Sequence, residues 1–225
     1  QYAVEENIAF FEAIKSVPRY LWWLITRATK LDRARLLELT DLPFPRWDRE
    51  MHLKLIEVES RDFPGLVAPL VNRLSELIFE KNAKPFVAMN LGCGGMEVER
   101  QIIKKLLEKK FERQVVFIGI DISSVAHEIA IENMREVEPF IDIHHIEKLD
   151  KNLLDELIKK EKNRHIVILA KNNIFELPQL FSQGSFDVIY HTLFKHHVNH
   201  GQKNKVDSIV TTLARRGLEY DGYKS

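Results

Sequence analysis

The feature that most constrains the fold of this chain is an alternation of short apolar runs with charged stretches, beginning at Lys84. The runs occupy residues 85–91, 114–121, 164–170 and 185–191. Each has the length of a strand, and the stretches 97–113 and 123–137 between them carry apolar residues at helical spacing, the second behind an N-cap serine. Short strands alternating with helices indicate an α/β fold, a mostly parallel sheet with helices on both faces.

The chain before the first run differs in character. Residues 4 to about 80 are rich in Leu, Glu, Arg and Ile, with helical spacing at Leu70, Leu74, Leu77 and Ile78. Prolines divide this region into helices of modest length. We therefore predict a helical accessory or lid segment over 1–82, packed directly on an α/β domain over 83–225.

The composition of the chain argues against some classes of binding partner. Lys+Arg and Asp+Glu balance at 33 each, so no global charge draws the chain to nucleic acid or to an anionic membrane. The single cysteine, Cys93, excludes an intramolecular disulfide and fits a reducing compartment. The apolar stretch 20–25 is far shorter than the roughly 20 residues of a membrane span. We expect a cytoplasmic protein with no nucleic-acid partner and no membrane span, and we leave open a homo-oligomer.

A glycine-rich loop follows the first run directly, with Gly92, Gly94 and Gly95 in four positions. In a dinucleotide fingerprint the last glycine would fall at Glu97, so that glycine is missing, and no Walker lysine follows. Glu97 and Glu99 occupy the first helical turn, where carboxylates would compete with a phosphate for the amides. The loop therefore favours a ligand without phosphate; a tight turn with no ligand is the alternative.

Asp121 ends the second run, one strand away from this loop in the expected sheet. A carboxylate there can accept hydrogen bonds from both hydroxyl groups of a ribose. A cap on the helix that starts near Ser123 is the other interpretation. The neighbouring glycine loop favours ribose binding.

Together these segments resemble the successive motifs of class I S-adenosylmethionine-dependent methyltransferases, over roughly residues 84–200. The motifs are Asn90-Leu-Gly-Cys-Gly-Gly95, Gly119-Ile-Asp-Ile-Ser123, Asn172-Asn-Ile-Phe-Glu-Leu-Pro178 and Gly184-Ser-Phe-Asp-Val-Ile-Tyr190. The resemblance implies a Rossmann-like sheet and S-adenosylmethionine as the cofactor. That molecule carries a sulfonium, an ammonium and a carboxylate group but no phosphate, which fits the acids beside the loop.

The resemblance also implies roles for individual residues. The glycines would let the backbone meet the methionyl part, Asp121 would hold the ribose, and Ile122 would pack on the adenine ring. Asn173, with Asn172 as the near alternative, would bind the adenine amino group. The implied cofactor-binding residues are Asn90, Gly92, Gly94, Gly95, Asp121, Ile122, Asn172 and Asn173.

Three positions depart from the family pattern. Asn90 and Asn173 stand where the family usually has acids, and Met96 stands where its third glycine usually falls. Asparagine accepts hydrogen bonds but contributes no charge toward the cofactor ammonium. A catalytically inactive binding or scaffolding module is therefore the alternative to an enzyme. A nicotinamide oxidoreductase is disfavoured by Glu97 and the absent glycine.

Methyl transfer needs mainly alignment, and sometimes a general base. His196 and His197, after the fourth run, are the candidate catalytic residues, because imidazole titrates near neutral pH. The histidines there lack a nearby carboxylate or thiolate, so we expect no metal. The Asn-Pro-Pro-Tyr signature of enzymes that methylate planar nitrogen atoms is absent, so we expect a small-molecule acceptor.

The C-terminal stretch 209–222 is interpreted as a helix and a turn leading toward a fifth strand. On that interpretation the family's C-terminal strands are missing from this chain. The fourth run would then be an exposed apolar edge unless helices or another chain cover it.

Overall fold

In the computed structural model, the structure describes residues 64–80, 84–162, 164–192, 198 and 200–220. Six strands lie in this part of the chain: β1 (Phe86–Leu91), β2 (Val115–Ile120), β3 (Ile141–Ile146), β4 (His165–Ala170), β5 (Phe186–Thr192) and β6 (Ala214–Tyr220). The α-helices described there are α1 (Pro64–Phe79), α2 (Glu97–Glu108), α3 (Ser124–Met134), α4 (Lys151–Lys160), α5 (Leu177–Leu180) and α6 (Lys203–Leu213).

The strands form one parallel sheet in the order β3-β4-β2-β1-β5-β6. The predicted Rossmann-like α/β fold is confirmed. All four predicted runs are strands, and they are buried along nearly their whole length. The chain passes from β1 outward to β2 and later returns to the other side of β1 with β5, so the order reverses between β1 and β5. Ligands of open α/β sheets bind at this reversal, outside the carboxyl ends of the strands.

Strand β3 is an addition to this pattern that the sequence did not reveal. When β3 is set aside, the other five strands follow the order 3-2-1-4-5 of doubly wound dinucleotide-binding sheets. β3 forms the outer edge beside β4 and is mostly half-buried. Its sequence, Ile-Asp-Ile-His-His-Ile, mixes polar and apolar residues because an edge strand meets solvent, and it therefore lacks a buried strand's apolar run.

The C-terminal stretch corrects one expectation. A helix was predicted from residue 209, and α6 does occupy 203–213, but a strand follows it where a turn was expected. β6 pairs with β5 in parallel register over 186–192. The expectation that the fourth run forms an exposed edge is therefore wrong, because β6 covers it.

The helical spacing before the first run is confirmed for α1, whose apolar side chains Leu70, Leu74, Leu77 and Ile78 are fully or almost fully buried. They join α2 in a core layer on one face of the sheet. Residues 1–63 lie outside the described part of the chain. The division into segments 1–82 and 83–225 therefore stays a prediction.

The opposite face of the sheet carries a second apolar layer, to which α4, α5 and α6 contribute. The two layers bury the sheet on both sides, which leaves its strand ends as the place for polar groups. In the part of the chain that the structure describes, no helix is both long and apolar enough to cross a membrane.

Candidate functional site

The glycine loop, Asp121 and the Asn172-Asn173 pair come together at one edge of the sheet. They follow β1, β2 and β4, which are neighbours in the order β4-β2-β1. The strands are parallel, so all three segments leave the sheet at its carboxyl edge, beside the reversal between β1 and β5.

The backbone of the glycine loop has the geometry that glycine permits. Gly92 and Gly94 have φ angles of 68° and 49°, in the left-handed region where a side chain is strained. The Gly92 amide donates to the carbonyl oxygen of Ile120 at 2.8 Å, which ties the loop to the end of β2. A Cβ atom built on Gly94 would meet nothing within 4 Å, so open space adjoins the backbone there.

Asp121 joins the two strand ends. Its Oδ2 accepts a hydrogen bond from the Gly94 amide at 3.3 Å, and its Oδ1 accepts one from the Ser123 amide at 2.9 Å. Burial raises the pKa of this carboxyl group, and the amide hydrogen bonds oppose the rise. The carboxylate thus turns the chain toward α3 and also touches the glycine loop, and its role toward a ribose stays a prediction. Ser123 itself caps α3, accepting from the Ala126 amide at 3.2 Å.

The residues predicted to contact the adenine ring differ in how exposed their side chains are. Ile122 is 59% exposed, although large aliphatic side chains are usually buried. Asn172 is buried, and its amide group is fully engaged with the backbone of Leu149: Nδ2 donates at 2.9 Å and Oδ1 accepts at 2.8 Å. Asn173 is exposed; its Oδ1 accepts from the Phe175 amide at 3.0 Å. Of the two asparagines, Asn173 is the one that faces solvent.

Met96 has a backbone conformation that glycine adopts more readily than other residues. Its φ and ψ are 53° and 38°, in the left-handed region that costs an ordinary residue about 1–2 kcal/mol. Its side chain is buried and packs toward Gly119 in β2, where a Cβ atom would lie 2.9 Å from the Met96 sulfur. Burial of this side chain offsets the backbone strain.

Both acids in the first turn of α2 are engaged by other side chains of the protein. Glu97 pairs with Arg100 at 2.7 Å and also accepts from Gln101 at 3.0 Å. These contacts lower the pKa of Glu97 even though burial opposes them. Glu99 is completely buried. The charge argument against a phosphate ligand therefore loses much of its weight, whereas the missing third glycine remains.

Glu99 belongs to a buried polar cluster that the sequence analysis missed. Its Oε1 accepts hydrogen bonds from Asn90 Nδ2, at 2.7 Å, and from the Tyr190 hydroxyl group. Asn90 and Tyr190 are directly paired across β1 and β5, so the cluster lies at the reversal of the strand order. A signal was present, because Glu99 shares the helical stripe of Ile102 and Ile103, which are core residues.

The candidate general bases, His196 and His197, lie outside the described residues, and their role stays a prediction. His191, at the carboxyl end of β5, is buried. Cys93 is buried inside the loop, and burial raises the pKa of its thiol well above the ordinary value. Cys93 therefore acts as a packing residue and not as a reactive thiolate.

No family model and no curated protein matches this sequence. Several solved structures are similar to it, including the following three. A candidate S-adenosyl-L-methionine-dependent methyltransferase from Methanococcus maripaludis shares 13% identity, with 80% of this chain and 65% of that chain covered and a TM-score of 0.44. An arsenic(III) S-adenosylmethionine methyltransferase from Chlamydomonas reinhardtii shares 18% identity, with 60% and 38% covered and a TM-score of 0.36.

The third is a candidate class I S-adenosylmethionine-dependent methyltransferase from Listeria monocytogenes, with 14% identity, 85% and 50% covered and a TM-score of 0.37. This chain spans less than two thirds of the length of each of the three. At these identities and scores the comparisons add no argument to what the topology shows. The chain is thus a Rossmann-like α/β protein, and the three similar solved structures, all distant, are described as S-adenosylmethionine methyltransferases.

Proposed function

We propose that this chain binds S-adenosylmethionine at the carboxyl edge of β1, β2 and β4 and transfers its methyl group to a small-molecule acceptor. The observation that carries the proposal is the contact between the glycine loop and the carboxylate after β2, Gly94 to Asp121 at 3.3 Å. It places a polar group suited to a ribose beside a backbone that a ligand can approach.

The residues present fit such a cofactor. The open space next to Gly94 allows a ligand to lie against the loop backbone. The exposed Ile122 side chain adjoins Asp121 and offers an apolar surface of the kind that an adenine ring covers. Asn173, exposed after β4, would present its side-chain amide to the base. Asp121 has lone pairs left for ribose hydroxyl groups, since its two oxygen atoms offer about four acceptor positions and the Gly94 and Ser123 amides occupy one on each oxygen.

The cofactor would supply an activated methyl group, and the protein's part is to bind, align and exclude water. His196 or His197 would remove a proton from an oxygen nucleophile, where the acceptor has one. The balanced charge of the chain and the absence of the Asn-Pro-Pro-Tyr signature favour a small acceptor over nucleic acid.

A second candidate is a binding or scaffolding module that keeps the fold without the chemistry. Two contacts favour it: the Asn90 amide group donates to Glu99, and the Asn172 amide group forms two hydrogen bonds with the Leu149 backbone. Two of the eight residues implied to hold the cofactor are therefore engaged inside the protein.

Calorimetric titration of the folded protein with S-adenosylmethionine, S-adenosylhomocysteine and NADH separates these candidates. The two methionine-derived ligands should bind with Kd of about 1–100 μM, a range that calorimetry resolves, and Asp121→Ala should abolish the binding. Asp155→Ala is the matched control, because Asp155 forms only an exposed helical pair with Lys151. Binding of NADH alone would indicate a dinucleotide site. No binding by a folded protein would contradict the proposal and favour the module.

A further inference from the structure

The buried cluster of Glu99, Asn90 and Tyr190 leaves two acceptor atoms without a partner. These atoms are Glu99 Oε2 and Asn90 Oδ1, and both are inaccessible to solvent. A buried polar atom without a hydrogen bond is costly, and a buried unpaired carboxylate is more so. The same carboxyl and amide groups are already hydrogen-bonded through their other atoms, because Asn90 Nδ2 donates to Glu99 Oε1 at 2.7 Å.

One proton would satisfy both atoms. We infer that Glu99 is protonated on Oε2 and donates to Asn90 Oδ1, closing a cyclic pair of a carboxylic acid and an amide. In such a pair the amide N–H donates to one oxygen of the acid while the acid O–H donates to the amide oxygen. The Tyr190 hydroxyl group completes the arrangement as a second donor to Oε1.

The charges around Glu99 are consistent with a neutral acid. The side chains acting on its carboxyl group are Tyr190 from β5, Asn90 from β1 and Glu97 from its own helix, and the Cys93 thiol in the loop also interacts with it. None of these is a cation. Burial raises the pKa of Glu99, and Glu97 raises it further; the hydrogen bonds from Tyr190, from the backbone amide of Glu99 itself and from Asn90 oppose the rise.

The pair makes Glu99 a positioning residue. It connects α2 to β1 and β5, the two strands between which the sheet order reverses, and α2 begins directly after the glycine loop. A neutral Glu99 connects α2, β1 and β5 by hydrogen bonds without adding a buried negative charge. The protonation state can be tested whether or not the proposed cofactor binds, and only the ligand-affinity arm below rests on the proposed function.

The first measurement is the ¹³C NMR signal of the Glu99 side-chain carboxyl carbon, assigned by its loss in Glu99→Gln. At pH 7 the signal should have the shift of a protonated acid and should move only at higher pH. A carboxylate shift at pH 7 would overturn the inference. The pH dependence of the signal is measured on the unmodified protein, and the Glu99→Gln variant serves only to assign the signal.

The second measurement is denaturant unfolding of the wild type and Glu99→Gln from pH 4 to pH 8. Glutamine can replace the acid in the cyclic pair, since its NH₂ group donates to Asn90 Oδ1 and its oxygen atom accepts as before. The folded state of the wild type holds a proton that the unfolded state releases above pH about 4.3. The wild type therefore loses stability as pH rises toward the folded pKa, whereas Glu99→Gln does not.

The unfolding constant of the wild type should thus rise relative to that of Glu99→Gln by about tenfold per pH unit, starting from near equality at pH 4. Glu108→Gln is the matched control, because Glu108 is an exposed glutamate at the other end of the same helix, and this variant should leave the rise intact. Glu99→Ala should unfold on the order of tenfold to a hundredfold more readily than Glu99→Gln at every pH.

A Glu99→Gln protein that is less stable than the wild type at pH 7, or fails to fold, would show that the carboxylate is the required form and overturn the inference. The last arm is the affinity for S-adenosylhomocysteine, which Glu99→Gln should keep within about threefold. Loss of affinity in a stable Glu99→Gln protein would instead make the carboxylate a direct ligand group, against the inference. If the wild type itself binds no such ligand, the proposed function fails while the NMR and unfolding results still decide the protonation state.

Discussion

Gly119 of β2 and Cys93 of the glycine loop are in such close contact that a methyl group on Gly119 would lie 2.7 Å from the Cys93 sulfur. The same methyl group would lie 2.9 Å from the sulfur of Met96. The absence of a side chain at Gly119 is therefore what allows the loop to fold down onto the second strand. Gly119 is thus required for the space that a side chain would fill, whereas Gly92 and Gly94 are required for their positive φ angles.

We expect Gly119→Ala to destabilise the protein by about 1–3 kcal/mol, because two buried sulfur atoms must move. Urea unfolding measures the change. Cys93→Ala makes room for the new methyl group, so the Gly119→Ala substitution should cost at least about 0.5 kcal/mol less in the Cys93→Ala background. Equal costs in both backgrounds would show that the Cys93 sulfur is not the obstacle.

Asp187 of β5 links three strands, and we expect its removal to weaken the sheet. Its Oδ2 accepts from the Val87 amide of β1 at 2.9 Å, and its Oδ1 pairs with Arg215 of β6 at 3.0 Å. Asp187→Ala should lower the free energy of unfolding by about 1–3 kcal/mol, since it leaves a partly buried amide unpartnered. Arg215→Ala removes only the exposed ion pair and should cost less than about 1 kcal/mol. Equal losses in the two variants, measured by urea unfolding, would contradict this account.

The two asparagines after β4 should separate stability from binding. Asn172→Ala removes both hydrogen bonds to the Leu149 backbone and should destabilise the fold by about 1–3 kcal/mol. Asn173→Ala removes one exposed turn contact, so it should leave the unfolding free energy within about 1 kcal/mol. Asn173→Ala should, however, weaken S-adenosylhomocysteine binding in calorimetry. The opposite result, with binding lost only in a folded Asn172→Ala protein, would exchange the roles of the two residues.

The buried imidazole of His127 predicts loss of stability in acid. Burial, followed by the neighbouring His145 at 3.0 Å, lowers the pKa of His127 to about 4. The unfolded chain binds this proton near pH 6.5, so it holds more protons than the folded protein between pH 6.5 and 4. Stability should fall as pH drops through this window, by as much as about 3 kcal/mol.

The measurement is the free energy of unfolding of the wild type and His127→Gln between pH 4 and 7.5. The difference between the two proteins reports His127 together with its contact to His145, because more distant titrating groups, such as the buried His165, are common to both. As pH falls from 6.5 to 4, the free energy of unfolding of the wild type should decrease more than that of His127→Gln. Parallel curves would mean that His127 is protonated equally in the folded and unfolded states.

The sequence by itself determined the sheet at its centre. The four runs that become β1, β2, β4 and β5 are buried on both faces, so they are mostly apolar, and a short, mostly apolar run can be recognised without any knowledge of contacts. The glycines after β1 and the aspartate after β2 were likewise identifiable, because strand ends in a parallel sheet are where polar and flexible residues belong.

Only the tertiary structure decided the edges of the sheet and the partners of the polar side chains. β3 and β6 lie at the edges and carry polar residues, so their pattern is not that of a buried strand. Glu99 looked like a surface acid of a first helical turn, and its burial follows from residues 9 and 91 positions away. A side chain's hydrogen-bond partner depends on which strands become neighbours, and that is fixed by packing of the whole chain, which no local pattern records.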